Sequence, residues 1–436
     1  MPVPAALARA RFPAPVLDVL RTLGEAGHRS WLVGGAVRDL LLHRPRPATD
    51  FDVATPARPE QVTALFSKVI PTGIEHGTVT VLARGEPVEV TTFRGEGAYR
   101  DGRRPESVTF LTDLEEDLAR RDFTMNALAF DPLAPEFRDP FGGRADLRRR
   151  RVRAVGEAAA RFGEDGLRAM RAVRFVAQLG FDLDPATRRA IPGALDVVGR
   201  VAAERITDEL SRLLVAPGAG RALELLRATG LLGVVLPAVA ALPRAELAHV
   251  AAVAAAAPPS LPVRLAALLH RLGPDGAGSA LAGLRLSRSV SDGALSLIRA
   301  FPCRRAAGTG LPAPEPAGIR RWIAGVERER TEPLLALGAA EARALPAVAR
   351  RRALAQVKEI QSRVVEVLLR SPPLSIRDLA LDGRAVAQAL GTEPGPVVGE
   401  ALRHLLDRVL EDPEQNEPER LRAALRDWSA RRAARI

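Results

Sequence analysis

A single cysteine, Cys303, stands in 436 residues, which excludes an internal disulfide and any cysteine-cluster zinc site. Lysine is nearly missing too: Lys68 and Lys358 are the only two, so the 63 basic residues are almost all arginine. Acid is in deficit, 52 residues against those 63, and the net charge of +11 favours a polyanionic partner. A GC-rich genome explains the arginine bias equally well. No apolar run reaches the roughly 18 residues of a membrane-spanning helix. Met1 to Phe12 lacks the regions of a secretion signal. A soluble cytoplasmic protein is expected. No fixed-period repeat is present either. With 47% hydrophobic residues the chain can bury a sizeable interior, and its length calls for two or more domains.

The chemistry concentrates near the start. In Thr49-Asp50-Phe51-Asp52-Val53-Ala54-Thr55, strand alternation sends Asp50 and Asp52 to one face and Phe51 and Val53 to the other. Two carboxylates so close repel unless a cation sits between them, and Mg²⁺ held by carboxylates and substrate phosphates meets that need. Just before it, Trp31-Leu32-Val33 reads as a strand and Ala36 to Leu42 as a helix. Gly34 and Gly35 between them let phosphates approach the backbone. Further strands are expected at Ser30 to Val33, Asp50 to Ala54, Thr78 to Leu82 and Val88 to Phe93. Helices are expected at Pro13 to Gly27 and Pro59 to Ser67. Glu89 points opposite to Val88 and Val90, toward the aspartates if the strands are neighbours. It is the candidate third carboxylate, or else an exposed strand glutamate.

Strand, Gly-Gly, helix, then Asp-x-Asp resembles the nucleotidyltransferase superfamily that includes DNA polymerase β. Leu32-Val33-Gly34-Gly35-Ala36-Val37-Arg38-Asp39, Arg120-Arg121-Asp122-Phe123-Thr124-Met125-Asn126-Ala127 and Glu164-Asp165-Gly166-Leu167-Arg168 narrow it. Together they are similar to class II tRNA nucleotidyltransferases, the CCA-adding enzymes and their poly(A) polymerase relatives. The resemblance implies Asp50, Asp52 and Glu89 as catalytic residues, with Asp50 and Asp52 holding Mg²⁺ for a two-metal nucleotidyl transfer. Gly34, Gly35 and Arg38 are implied at phosphates, and Arg121, Asp122 and Asn126 at the nucleotide's sugar and phosphates. Asp122 and Asn126 are read as sharing one face of a helix from Leu118 to Ala129.

Asp165 and Arg168, at i and i+3 with Arg171 and Arg174 continuing near that face, would by spacing alone be an exposed ion pair worth at most about 1 kcal/mol. The resemblance implies instead a protein template for the incoming base. Asp165 accepts from the amino group of cytosine or adenine, and Arg168 donates to the ring nitrogen beside it. Uracil and guanine put a carbonyl where Asp165 needs a donor. Arg205 and Glu209, in the last family motif, are assigned to bracing or to a local pair. Gly95 to Pro105 reads as a mobile surface loop of full length, which by resemblance speaks for completing the final A. Leu268-Leu269-His270-Arg271 has arginine where some relatives carry a His-Asp hydrolase motif, so no such hydrolase is expected.

The expected fold is α+β. A nucleotidyltransferase head with a mixed sheet and helices spans 1–148. An all-helical neck (149–215), body (216–318) and tRNA-binding tail (319–436) follow, with breaks at Ala255 to Pro262 and Pro302 to Pro316. The tail ends in a basic amphipathic stretch, Arg420 to Arg435, that grips RNA or is a solvated helix. The implied activity is template-independent addition of CCA to tRNA from CTP and ATP. The alternatives are an A-adding enzyme, then a poly(A) polymerase or an inactive RNA-binding relative. Oligomeric state is not set by the sequence, a monomer or weak dimer being the expectation.

Overall fold

The computed structural model describes residues 2–44, 51–96, 108–301 and 311–433. The expected strands are present, together with others. Along the chain come β1 (Trp31–Val33), β2 (Asp52–Thr55), β3 (Val69–Gly73), β4 (Thr78–Ala83) and β5 (Glu86–Thr92). Then β6 (Arg94–Glu96) and β7 (Val108–Phe110) pair as a separate ribbon, and β8 (Ala129–Asp131) and β9 (Glu136–Arg138) follow. Among the described residues one sheet has the order β3-β4-β5-β2-β1-β8-β9. Its β2 and β5 are parallel and its other pairs antiparallel, so the sheet is mixed. The helix Ala14–Glu25, opened by Pro13, buries Val16, Val19, Leu20 and Leu23 and packs on β4 and β5. Trp31, Val33, Ala54, Phe93 and Leu118 join in a core cluster with Ala127, Ala129 and Val155. That apolar layer fixes the strands whose polar residues form the site.

The helix expected from Leu118 to Ala129 is not formed. A helix does cover Leu114–Ala119, but Phe123 is extended and bridges to Ala154, and only a single 3-10 turn, Thr124–Asn126, follows. The backbone of Thr124 donates to Arg153 and that of Val155 to Asp122, at 2.9 and 3.2 Å. With Phe123 and Met125 fully buried, tertiary pairing overrides the helical spacing. The 149–215 segment is not all helix, the Ala154 bridge aside. There β10 (Arg151–Val152) runs parallel to β11 (Asp182–Leu183), and each is too short to leave a period in the sequence.

Contacts divide the chain into two units, Met1–Ala241 with Gly283–Arg285, and Leu242–Ala282 with Leu286–Ile436. The sheet and the 149–215 segment lie in the first. In the second, helices Pro316–Val326, Arg328–Ala344 and Ala347–Leu369 share a core that includes Ile319, Ile323, Leu335, Ile360 and Val364. The last helix, Pro418–Ala433, buries Leu421 and Leu425 against Leu402, Leu405 and Val409. Trp428 stacks on His404 with ring centroids 6.4 Å apart. No helix among the described residues is long and apolar enough to cross a membrane.

Candidate active site

The strand register places the first pair of carboxylates. Asp52 opens β2 and is aligned with Glu89 of β5 in the parallel pair, while Val53 and Val90 beside them are buried. Glu89 therefore faces the aspartate side, as its alternation requires. Partial desolvation in the cleft, then the charge of Asp52, raise the Glu89 carboxyl above its usual range, with Arg94 opposing. Asp50 lies outside the described residues, as do Cys303 and most of the 95–105 loop.

Gly34 links β1 to the Gly35–Leu41 helix with φ +68, a conformation that favours glycine, and a Cβ there would stand 2.9 Å from Arg121 Nη1. One turn into this helix, Arg38 donates from both Nε and Nη2 to Asp39 at 2.9 and 3.0 Å, and from Nη1 to Asn126 Oδ1 at 2.6 Å. Asn126 Nδ2 in turn donates to Asp122 Oδ1 at 2.9 Å, so these two residues meet although the helix proposed to align them is absent.

Asp122 is the hub of a buried network. It accepts from the backbone of Phe123 at 2.8 Å and from Arg171 Nε and Nη2 at 2.8 and 2.7 Å. Burial works against its charge, yet the Arg171 guanidinium and the hydrogen bonds from Asn126, Arg171 and the Phe123 backbone outweigh it and hold the carboxyl below its ordinary range. A carboxyl depressed in the folded state contributes stability at pH values above its unfolded pKa of about 3.9, and loses it as pH falls through the folded value. Denaturant titrations should therefore show the stability gap between wild type and Asp122→Asn narrowing below about pH 4. A gap that stays constant from pH 6 to 3 contradicts the assignment.

Asp165 is not inside a helix but at the junction between the Ala158–Glu164 and Leu167–Leu179 helices. Its Oδ1 accepts from the Leu167 backbone at 3.0 Å, capping the second helix. Gly166 is required there, since a Cβ would stand 2.6 Å from the Val198 nitrogen. The expected i, i+3 pair with Arg168 is replaced by other partners. Asp165 Oδ2 accepts from Arg205 Nη2 at 2.8 Å. Arg168 Nη1 donates to Glu164 at 2.6 Å and its Nη2 to the Arg120 carbonyl at 3.1 Å. Nor do Arg205 and Glu209 pair with each other: Glu209, buried, accepts from Arg174 and lies 3.5 Å from Arg171.

Most of these side chains line one cleft of about 570 Å³ in the first unit. The structure brings together there Gly34, Gly35, Arg38, Asp52, Glu89, Arg121, Asp122, Asn126, Asp165, Arg168, Arg171 and Arg174. Sequence reasoning missed two organising residues. Phe175 receives three guanidiniums, Arg174, Arg38 and Arg171 lying 4.1, 5.2 and 5.5 Å from its ring. Asp117, 1% exposed, takes Arg120 and Arg121 at 2.8 and 3.3 Å. Its i+3 and i+4 spacing to those arginines was the available signal. The Nε of Arg121 is buried with no hydrogen-bond partner among the described residues. A cleft with carboxylates on strands at one wall and clustered guanidiniums elsewhere suits a polyphosphate whose charge a cation helps to carry.

Residues 30–153 match the family described as the Poly A polymerase head domain, and 180–242 match the probable RNA and SrmB-binding site of polymerase A. The CCA-adding enzyme of Geobacillus stearothermophilus is 40% identical over 409 residues, 94% of this chain and 95% of that protein. The chain belongs to the CCA-adding enzymes, a family of tRNA nucleotidyltransferases. The CCA-adding enzyme of Lactobacillus johnsonii is 50% identical over 215 residues, 49% of this chain and 53% of that protein. The structure of the Bacillus stearothermophilus CCA-adding enzyme in complex with CTP covers 98% of this chain and 100% of its own at 36% identity and TM-score 0.76. The Thermotoga maritima CCA-adding enzyme complexed with tRNA is 17% identical with TM-score 0.69, covering 98% and 99%, and shows the same fold. Nucleotidyltransferases of this family use divalent metals.

Proposed function

We propose that this chain builds the CCA end of tRNA by transferring CMP and then AMP from CTP and ATP to the tRNA 3′-hydroxyl, without a nucleic-acid template. One observation carries the reading: the Asp52 and Glu89 carboxylates line the same cleft as Asp165 and Arg168. In the family, the relatives at 39–40% identity over nearly the whole chain are CCA-adding enzymes, which favours CCA addition over A-only addition.

Mg²⁺ suits the oxygen donors of Asp52 and Glu89, where burial and then the nearby Asp52 charge raise the Glu89 carboxyl. With Asp50 they would hold the ion. Bound there, it would promote ionisation of the attacking hydroxyl and neutralise charge on the triphosphate and the pyrophosphate leaving group. The protein's own groups do the rest. Gly34 and Gly35 leave room for phosphates, and Arg38 and Arg121 supply charge beside them. Asp122, Asn126, Arg171 and Arg174 fix the sugar side of the cleft. Asp165 accepts from the exocyclic amine of cytosine or adenine and Arg168 donates to the adjoining ring nitrogen, while Arg205 orients the carboxylate. In this division 1–148 is the catalytic head, 149–215 the base-selecting neck, and 216–318 and 319–436 the body and tRNA-binding tail. We assign the reaction to the cytoplasm, the compartment of its tRNA substrate.

The test offers tRNA ending at the discriminator base, at C and at CC, with CTP or ATP separately. CTP should extend the first two and ATP should complete the third with one A. Addition confined to CC-ended tRNA identifies an A-adding enzyme instead, and runs of A identify a poly(A) polymerase.

A further inference from the structure

In the second unit three helical stretches converge on one point. They supply His249 from the Arg244–Ala256 helix, His270 from the turn His270–Leu272, and Glu341 from the Arg328–Ala344 helix. The nitrogens and carboxylate oxygens these residues offer lie within 4.8 Å of one another. His270 and Glu341 are 1% and 4% exposed, whereas His249 reaches the surface. His249 Nε2 lies 2.7 Å from Glu341 Oε1, the oxygen that also accepts from Arg271 Nη2 at 3.0 Å. The other oxygen, Oε2, faces His270 Nε2 at 3.5 Å. Both of those atoms are buried with no hydrogen-bond partner among the described residues.

Hydrogen bonding elsewhere fixes what these two atoms present. His270 Nδ1 is 2.8 Å from the Ala267 carbonyl, a contact that needs the proton on Nδ1. The neutral ring then turns a bare lone pair at Nε2 toward the lone pairs of Oε2. Leaving both unsatisfied forfeits the solvation each group has in the unfolded chain. A cation between them removes that cost. Two ligands about 2.1 Å from a zinc ion at the tetrahedral angle stand about 3.4 Å apart, close to the 3.5 Å observed.

We propose that His249, His270 and Glu341 form a site for a divalent transition-metal ion of the Zn²⁺ class, separate from the carboxylates of the catalytic cleft. Two imidazoles and one carboxylate suit zinc better than magnesium. The surrounding groups are those that orient metal ligands: the Ala267 carbonyl on the far nitrogen of His270, and Arg271 on the non-coordinating oxygen of Glu341. Phe301 packs edge-on to the His270 ring at 6.1 Å and holds its plane. His249, partly exposed and 2.7 Å from the carboxylate, gives an entry path and closes onto the ion by a small shift. The fourth position stays open, and with Arg271 adding positive charge an anion or hydroxide fits it. Such an ion ties the three helical stretches together, so its effect is on stability.

The test uses the full chain, treated with chelator and then titrated with Zn²⁺ or Co²⁺ in the absence of nucleotide and tRNA. Calorimetry should find one Zn²⁺ per chain at this site, and Co²⁺ should give visible d–d absorption of a low-coordinate nitrogen and oxygen site. Asp52→Asn should retain both signals. Glu341→Gln should lose them, and His249→Ala, at the least buried member, should keep the fold and weaken binding at least tenfold. The Tm of wild type should rise more with Zn²⁺ than with equal Mg²⁺, and Glu341→Gln should remove that difference. A wild-type chain that binds neither ion, or bound ions that survive His249→Ala unchanged, overturns the site, whatever the fate of nucleotide addition.

Discussion

Asp52→Ala should abolish nucleotide addition in single-turnover assays while leaving tRNA binding intact. Asp52 starts β2 opposite Glu89, half-exposed in the cleft, with the apolar neighbours Val53 and Val90 carrying the packing of both strands. Removing it takes away one of the carboxylates that would hold the cation and spares the core. The fold should therefore survive with a Tm within a few degrees of wild type, as expected for substitutions away from buried features. Charge stabilisation by a cation in phosphoryl transfer is worth several kcal/mol, and about 4 kcal/mol corresponds to roughly a thousandfold in rate. Binding of tRNA should not weaken, because the change deletes a negative charge from a chain whose formal net charge is +11. Asp52→Asn, of nearly the same shape, should be equally slow, which separates lost charge from lost volume. Full-rate addition by either variant removes Asp52 from the chemistry.

The parts of this protein that alternation and glycine govern were legible in its sequence. β2 and β5 could be placed because Asp52 and Glu89 sit between apolar neighbours at period two, and parallel pairing aligns them directly. Gly34 was legible because a backbone turn between a strand and a helix demands it. What stayed hidden is tertiary in origin. The helix expected through Asp122 gives way because Phe123 bridges to Ala154, a partner 31 positions away that no local pattern announces. Asp165 and Arg168 have helical spacing, yet a close approach of Gly166 to Val198 interrupts the helix between Glu164 and Leu167. That break frees Asp165 to cap one helix and to meet Arg205 from another. Phe175 carries no polar atom and reads as ordinary core, although three guanidiniums gather on it. The His249, His270 and Glu341 cluster draws on residues up to 92 positions apart, as the separation of its outer pair shows.

Asp165→Asn should loosen base selection more than it damages the fold. Asparagine still caps the Leu167–Leu179 helix, since its side-chain oxygen can accept from the Leu167 backbone as Asp165 does at 3.0 Å. The partnership with Arg205, 2.8 Å from the other oxygen, becomes a bond to a neutral acceptor or is lost. Its effect on stability should be small because Arg205 is 40% exposed. At the base the consequence is larger. A carboxylate can only accept, so it favours the amines of cytosine and adenine and is left facing an acceptor by the carbonyls of uracil and guanine. An amide can turn its NH₂ toward those carbonyls. Sites built on hydrogen bonds discriminate by about 10⁴-fold, and losing the acceptor-only group should reduce that to about 10²-fold. The expected result is slower CTP addition together with measurable UTP addition to the same tRNA in single-turnover assays. Arg205→Ala, which leaves the carboxylate in place but unheld, should slow CTP addition with a smaller loss of selectivity. If Asp165→Asn keeps the wild-type ratio of CTP to UTP addition, the carboxylate does not read the base, and selection must rest on the shape of the cleft instead.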